Sequence, residues 1–295
     1  MPAKKSTTAK YSLSAKGVFK IEDYNKSKMF SNFFPGVAGV WGIPRWAFYV
    51  NRGQCISSFG IEDKDKAILE FQPANKAYRL TSLQGFRTFI KAKNGSKVFY
   101  WEPFQKNLLG TQYKTKQSMA MTAHDLTLEE VNEDLGIKVS VNYFTIPQET
   151  FSALVRRVSV KNIKRKSYTL EVLDGLPMIN AFGLQDWTSK NMSRTAEAWV
   201  KVRNLNNKAP YYQLNVEIDY KTEVTHINFN PKQEGLLDVV AETRHIFGYA
   251  SDYLAPDHFL SSDFKLPKEQ KTDNKTPSAF AYTKMNLKAN HEASI

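Results

Sequence analysis

The chain is predicted to be an all-β protein, a large antiparallel β-sandwich, because its apolar residues alternate over long stretches that turn sequences separate. Alternation places apolar side chains on one parity in the segments 137–143, 154–160, 168–172 and 214–218. A period of two is typical of half-buried antiparallel strands. Turn signals lie between or beside these segments, namely Asn94-Gly95, Leu135-Gly136, Ile146-Pro147 and residues 204–210. Long strands joined in this way form a meander, and two such sheets pack into a sandwich.

Helical periodicity is scarce, and its best case is the segment 185–200. Trp187, Met192, Ala196 and Trp199 fall near helical spacing there, and Ser189 lies in the first turns. We therefore expect one or two short helices against the sheet. Trp187 and Trp199 are expected to be packing residues rather than platforms for sugar.

Arg156 shares the parity of Leu154 and Val158, which are predicted to face the core. Either its guanidinium points inward to a carboxylate or that face is open at its position. A third interpretation is a strand-end arginine whose aliphatic stem covers apolar surface.

Length and composition indicate a globular domain. The 295 residues are 42% hydrophobic, which supports a substantial core, and no apolar run is long enough to cross a bilayer. Residues 1–16 are predicted to be a flexible tail and residues 17–295 a single β-sandwich domain. The N-terminus has charge without a following apolar stretch, so a cytoplasmic location is expected. The single cysteine, Cys55, excludes an intramolecular disulfide and is expected to be a packed side chain.

The formal net charge of +12 raises the question of a nucleic-acid partner. Lysines are spread along the chain rather than clustered on one helix. The densest basic segment, residues 161–166, lies between two alternating stretches, where a solvated turn belongs. Solubility is therefore the expected role of the charge, and neither a nucleic-acid nor a membrane partner is expected.

No residue pattern in the chain predicts a catalytic centre, a metal site or a cofactor. The five histidines lack metal-ligand spacing, although His245 lies near Glu242. Asp63 and Asp65 belong to an alternating charged turn, and Asp186 opens the predicted helix. Neither a Ser-His-Asp signature nor a glycine loop for phosphate occurs.

The residues 35–71 are expected to form a functional surface. Gly36, Gly39 and Gly42 recur every third residue before Pro44, which predicts a loop with tight turns or a close backbone approach. The following segment predicts a strand that ends in a polar turn. The candidate contact residues for a substrate or an interface are Trp41, Arg45, Trp46, Asn51, Arg52 and Gln54. Aromatic faces and planar polar groups suit a sugar, whereas the alternative is buried tryptophans and a polar turn that caps the strand.

This run resembles the N-terminal region of inverting glycoside phosphorylases, specifically the β-1,2-oligoglucan phosphorylase branch related to cellobiose phosphorylase. The resemblance extends from about Phe19 onward and includes Phe71-Gln-Pro-Ala-Asn-Lys-Ala-Tyr78, Gly85-Phe-Arg-Thr-Phe-Ile90, Phe144-Thr-Ile-Pro, Leu154-Val-Arg-Arg-Val-Ser-Val-Lys-Asn162 and Glu171-Val-Leu-Asp-Gly-Leu-Pro177. It implies a galactose-mutarotase-like supersandwich. It also implies that the chain stops before a helical (α/α) barrel that carries the catalytic aspartate.

On this resemblance the chain contains no catalytic residue and is inactive alone, while the whole enzyme transfers a hexosyl group from a β-glucan oligosaccharide to inorganic phosphate. The sandwich then packs on the barrel and shapes the substrate entrance. Arg45 and Arg52 suit either phosphate or carboxylates on the barrel. The alternative is a stand-alone carbohydrate-binding or scaffold module that uses Trp41 and Trp46.

Overall fold

The structure is a computed structural model that describes residues 9–105, 112–179, 191–192, 195, 199–214, 223–225, 229–230 and 235–295. Antiparallel strands dominate it, so the predicted all-β sandwich is confirmed. The strands in chain order are β1 (Lys10–Leu13), β2 (Phe19–Glu22), β3 (Ser31–Ala38), β4 (Ile43–Val50), β5 (Ile56–Ile61), β6 (Ala67–Leu69), β7 (Arg87–Asn94), β8 (Lys97–Trp101), β9 (Thr115–Met121), β10 (Asp125–Asn132), β11 (Ile137–Thr145), β12 (Leu154–Asn162), β13 (Tyr168–Leu176), β14 (Val200–Arg203), β15 (Tyr211–Leu214), β16 (Glu223–Thr225), β17 (Phe229–Asn230), β18 (Gly235–Leu236), β19 (Asp238–Val240), β20 (Ala279–Leu287) and β21 (Glu292–Ser294). The described residues also form the short α-helices α1 (Ala74–Leu80), α2 (Arg244–Phe247) and α3 (Asp257–Leu260).

Two large sheets form the sandwich. One has seven strands in the order β1-β2-β9-β10-β11-β12-β21, and the other has five in the order β19-β20-β13-β7-β8. A four-stranded sheet, β3-β4-β5-β6, flanks them, and the remaining described strands form a three-stranded and a two-stranded sheet. Within the predicted flexible tail of residues 1–16, residues 10–13 form strand β1 and pair with β2.

The main core lies between these sheets. The inward positions of β11 alternate as predicted, and Val139, Val141 and Tyr143 are fully buried. They belong to one hydrophobic cluster with Ile90 and Val172 of the five-stranded sheet, and the four-stranded sheet adds further members. The cluster therefore includes residues of both large sheets and the flanking sheet.

A second, smaller core covers the outer face of the five-stranded sheet. Phe89, Leu173 and Phe280 belong to it, and Phe247 of α2 and Phe259 of α3 pack with them. Both faces of this sheet are thus buried in its central part. This arrangement explains why the second half of β13 is buried at every position instead of at every second one.

Several predictions about turns are confirmed. Gly95 and Gly136 adopt positive φ at strand connections, and residues 204–210 connect β14 to β15. Of the predicted basic turn 161–166, Lys164, Arg165 and Lys166 are exposed between β12 and β13, whereas Lys161 and Asn162 form the end of β12. Cys55 is buried, as expected. Most of the predicted helix 185–200, including Trp187, Ser189 and Asp186, lies outside the described residues, as do positions 215–218 of the predicted strand. Trp199 packs against the main core, as expected. Among the described helices, none has the length and apolar character to span a bilayer.

Candidate functional site

The candidate residues lie on and around the hairpin of β3 and β4. Strand β4 alternates between two environments: Ala47 and Tyr49 join the main core, whereas Trp46, Phe48 and Val50 pack on the opposite face. The predicted loop from Gly36 to Pro44 is wrong in extent, because both residues lie in paired strands. Only residues 39–42 form the turn, where Gly39 and Gly42 have φ of 78° and 64°.

Gly36 serves close packing rather than a turn. A Cβ atom at this position would lie 2.5 Å from Cγ2 of Thr145 on β11. Glycine therefore lets the hairpin approach the end of the seven-stranded sheet. The contact continues at the turn, where the Gly39 amide donates to the Ile146 carbonyl at 3.2 Å and the Val40 amide donates to the Glu149 carbonyl.

The end of the hairpin carries an exposed apolar surface. Trp41 is 84% exposed, and Val40 beside it is 55% exposed. Phe151, in the adjoining connection between β11 and β12, is also 55% exposed. We call Val40, Trp41 and Phe151 the tip surface. Residue types in the sequence indicate Trp41 but not Phe151, which follows the polar residues 148–150 without a periodic signal.

Arg45 lies beneath this region and is 6% exposed. Its Nε donates to Oγ of Ser152 at 3.2 Å and its Nη2 donates to the Ser152 carbonyl at 3.1 Å. The third nitrogen, Nη1, is buried and has no hydrogen-bond partner among the described residues. Removal from water lowers the pKa of the Arg45 guanidinium to about 10.

Trp46 belongs to an aromatic cluster on the other face of β4. Its Nε1 donates to the Asp63 carbonyl at 3.0 Å, and its ring packs edge-on against Phe33 and Phe71. Phe33 stacks on Phe71 with centroids 6.0 Å apart, and Phe33 is 49% exposed. Trp46 and Trp41 therefore do not form one platform.

The three polar residues after β4 lie at the opposite end of the hairpin from Trp41, about 23 Å away along an eight-residue strand. Asn51 is fully buried, accepts from the Phe30 amide and donates to the Lys28 carbonyl. Arg52 donates to the carbonyls of Asn51 and Ser27. The structure thus gives both residues roles in the fold, because their polar groups meet backbone partners.

Gln54 enters a buried polar network at the centre of the sandwich. Its Nε2 donates to Oγ1 of Thr88 at 3.0 Å, and its Oε1 accepts from Arg156. Arg156 also donates to both carboxylate oxygens of Asp174, at 2.9 and 2.6 Å, and to the Tyr143 hydroxyl. Of the interpretations of Arg156, the inward arginine with a carboxylate partner is confirmed.

The acidic and histidine residues show no assembled metal centre within the described part of the chain. Asp63 caps a short turn and accepts from the Asp65 amide, and His245 contacts Glu242 at 3.2 Å. Sequence reasoning missed Glu130, a carboxyl that is only 1% exposed on β10. Its burial signal was the alternation of β10 itself, since every second residue from Leu126 to Asn132 is buried.

In comparisons with known proteins, no protein-family model and no curated protein matches this chain. The phosphorylase resemblance therefore stays an expectation from the sequence motifs.

Proposed function

We propose that this chain is the N-terminal sandwich domain of a cytoplasmic glycoside phosphorylase that acts on β-1,2-glucan oligosaccharides and releases glucose 1-phosphate. In this proposal the domain performs no chemistry, packs on a helical catalytic barrel and shapes the substrate entrance. The sequence resemblance supports the family, and the all-β sandwich is the fold that the resemblance implies. Oligosaccharide and phosphate are then the ligands of the whole enzyme.

The observation that carries the proposal is the tip surface. Val40, Trp41 and Phe151 are more than half exposed and come from two adjacent connections of the sandwich. Exposed apolar groups that adjoin one another mark surfaces for a partner or a ligand. A tryptophan at such a position contributes a large apolar face and one N–H donor, which suits either a protein interface or a sugar ring.

The alternative function is a stand-alone carbohydrate-binding module. It is favoured by the 84% exposure of Trp41, because a free aromatic face can pack on the C–H side of a pyranose without a partner domain. In that case the chain alone binds sugar.

Three preparations distinguish these functions: the wild-type chain, Trp41→Ala and the control Tyr249→Ala. Tyr249 is 88% exposed and lies outside the tip surface. Each is titrated calorimetrically with sophorose-type oligosaccharides, assayed for glucose 1-phosphate in the presence of phosphate, and mixed with a separately produced helical barrel of a β-1,2-oligoglucan phosphorylase.

The proposal predicts no turnover by the chain alone and a complex with the barrel that Trp41→Ala weakens about tenfold or more while Tyr249→Ala does not. Turnover by the isolated chain would contradict the assignment of a domain without chemistry. Sugar binding by the isolated chain, lost in Trp41→Ala and accompanied by no barrel complex, would replace the proposal by the carbohydrate-binding module.

A further inference from the structure

Three arginines of the described chain have buried side chains, and one of them differs from the others. Arg87 places Nε and Nη2 on the two carboxylate oxygens of Glu102 at 2.7 and 2.9 Å. Arg156 is paired with Asp174 in the same two-pronged manner. Arg45 is 6% exposed yet has no carboxylate partner among the described residues, and both of its hydrogen bonds go to Ser152.

The buried Arg45 guanidinium therefore lacks both an opposite charge and a full set of hydrogen bonds among the described residues. A buried charge normally has an opposite charge or a full set of hydrogen bonds, because desolvation without compensation is costly. Here Nη1 is buried, and no described residue offers it an acceptor. The lowered pKa of the guanidinium has burial as its cause, with no carboxylate acting against it.

We propose that Arg45, with the hydroxyl of Ser152, forms a binding site for one oxyanion at the base of the tip surface. The planar guanidinium binds two oxygens of a phosphate or carboxylate at once, and the Oγ–H of Ser152 can donate to the same group. An anion in contact with Nη1 would supply the missing acceptor and the missing negative charge together.

The chemistry is shared by two sources, free phosphate and a carboxylate side chain of a partner surface. The existence of the site is inferred from the geometry around Arg45, whereas the identity of its natural anion rests on the proposed function. Among the described residues, one competitor for the anion is the carboxylate of Glu149, an exposed residue in the same connection as Ser152 whose carbonyl accepts from the Val40 amide. Its carboxylate makes no ion pair with Arg45.

The test measures thermal unfolding against increasing phosphate, with sodium chloride adjusted to hold ionic strength constant and with acetate in a parallel series. The variants are Arg45→Met, Glu149→Gln and the control Arg157→Met, which removes an equal charge from an exposed position on β12. The Nε–H signal of Arg45 in the NMR spectrum of the wild-type chain gives a second readout that needs no variant to fold.

We expect phosphate to raise the melting temperature of the wild type and of Arg157→Met, and to shift the Arg45 Nε–H signal. Arg45→Met should weaken the apparent phosphate affinity about 10- to 100-fold. An equal effect of acetate would support the same site with a carboxylate as its natural occupant.

Three results would overturn the inference. The first is a phosphate response that Arg45→Met retains. The second is the absence of any anion response together with an unmoved Nε–H signal. The third is a large loss of stability in Glu149→Gln without an anion response in the wild type, which would make Glu149 the internal partner. No sugar or barrel enters the experiment, so its failure is separable from failure of the proposed function.

Discussion

At the scale of single residues, the polar network of Gln54, Thr88, Tyr143, Arg156 and Asp174 joins three sheets at the centre of the sandwich. Its members come from the turn after β4 and from β7, β11, β12 and β13. Burial opposes the charge on Arg156, but Asp174 and Tyr143 outweigh it and raise the pKa of the guanidinium above its ordinary value. The charge on buried Arg156 is therefore stabilised by Asp174 and Tyr143 together.

Arg156→Met should destabilise the fold by about 3–5 kcal/mol, because it leaves the Asp174 carboxylate buried without an opposite charge. The double variant Arg156→Met with Asp174→Leu should lose much less than the sum of the single variants, since no unpaired charge remains. Urea unfolding of the four proteins of this double-mutant cycle measures the difference. Additive losses would show that the ion pair is not the coupled unit.

Glu130 is a further buried ionisable group, and it is 1% exposed. Its oxygens accept from the Phe104 amide at 2.5 Å, the Gln117 amide group at 2.6 Å and the Trp101 indole at 3.3 Å. Burial raises the pKa of Glu130 from its ordinary 4.5 to about 7, against these hydrogen bonds, which favour the ionised form. The folded state therefore binds a proton more tightly here than the unfolded state does.

This pKa shift determines a pH dependence with a definite sign. Between pH 4.5 and about 7 the folded chain holds a proton on Glu130 that the unfolded chain releases, so stability falls as pH rises through this window. The total loss is about 3 kcal/mol. Glu130→Gln should flatten this part of the profile, measured as free energy of unfolding in urea from about pH 4.5 to about pH 8.5. Parallel profiles for the two proteins would contradict the assignment to Glu130.

At the scale of elements, the four-stranded sheet depends on a close backbone contact at Gly60 in β5. A Cβ atom there would lie 2.5 Å from the Lys66 carbonyl oxygen and 2.7 Å from the Ala67 Cα. The strand register also shifts between Phe59 and Gly60, where β6 pairs with β5. The contact lies against backbone, which cannot move aside as a flexible side chain can.

Gly60→Ala should therefore destabilise the chain by about 1–3 kcal/mol through overpacking. Gly95→Ala is the matched control. A Cβ at Gly95 meets no neighbouring atom, so its loss comes only from the φ of 60°, about 1 kcal/mol or slightly more. Chemical unfolding of both variants gives the comparison. Equal losses would mean that β6 moves away from β5 without cost.

At the scale of the whole molecule, one hydrophobic cluster includes members of both large sheets, the flanking four-stranded sheet and the β14–β15 pair. Partial unfolding of one sheet would expose apolar surface on the others. We therefore expect one cooperative thermal transition, with the calorimetric enthalpy equal to the van't Hoff enthalpy. Two separated transitions by calorimetry and near-UV circular dichroism would show that the sheets unfold independently.

Prediction of the fold from the sequence succeeds where burial alternates strictly along a strand. Alternation places β11, β12 and the first half of β13 near their observed limits, because one face meets the core and the other is less buried. The predicted loop does not extend to Gly36, and of the two alternatives predicted there the close backbone approach is confirmed and the tight turn is not, because glycine is equally suited to both. Only the position of Thr145 distinguishes the two.

The candidate site shows the same division. Residue types alone group Trp41, Arg45, Asn51 and Gln54 as one polar and aromatic surface. The structure separates them, because eight residues of β4 place the turn after it about 23 Å from the tip, and successive side chains point to opposite faces. The turn that carries Trp41 lies against the connection that carries Phe151, although the two residues are far apart in sequence.

The amino-acid sequence by itself determined the antiparallel sandwich and the solvated basic turns, and it put Arg156 on the parity that faces the core, since these follow from local periodicity and turn chemistry. Only the tertiary structure decided which carboxylate pairs with each buried arginine, that Arg45 has none among the described residues, and that the turn with the exposed residues Val40 and Trp41 lies against the connection with the exposed Phe151. The physical reason is that strand pairing brings together side chains from distant positions in the sequence. A local residue pattern does not indicate which distant residue will lie opposite across the core.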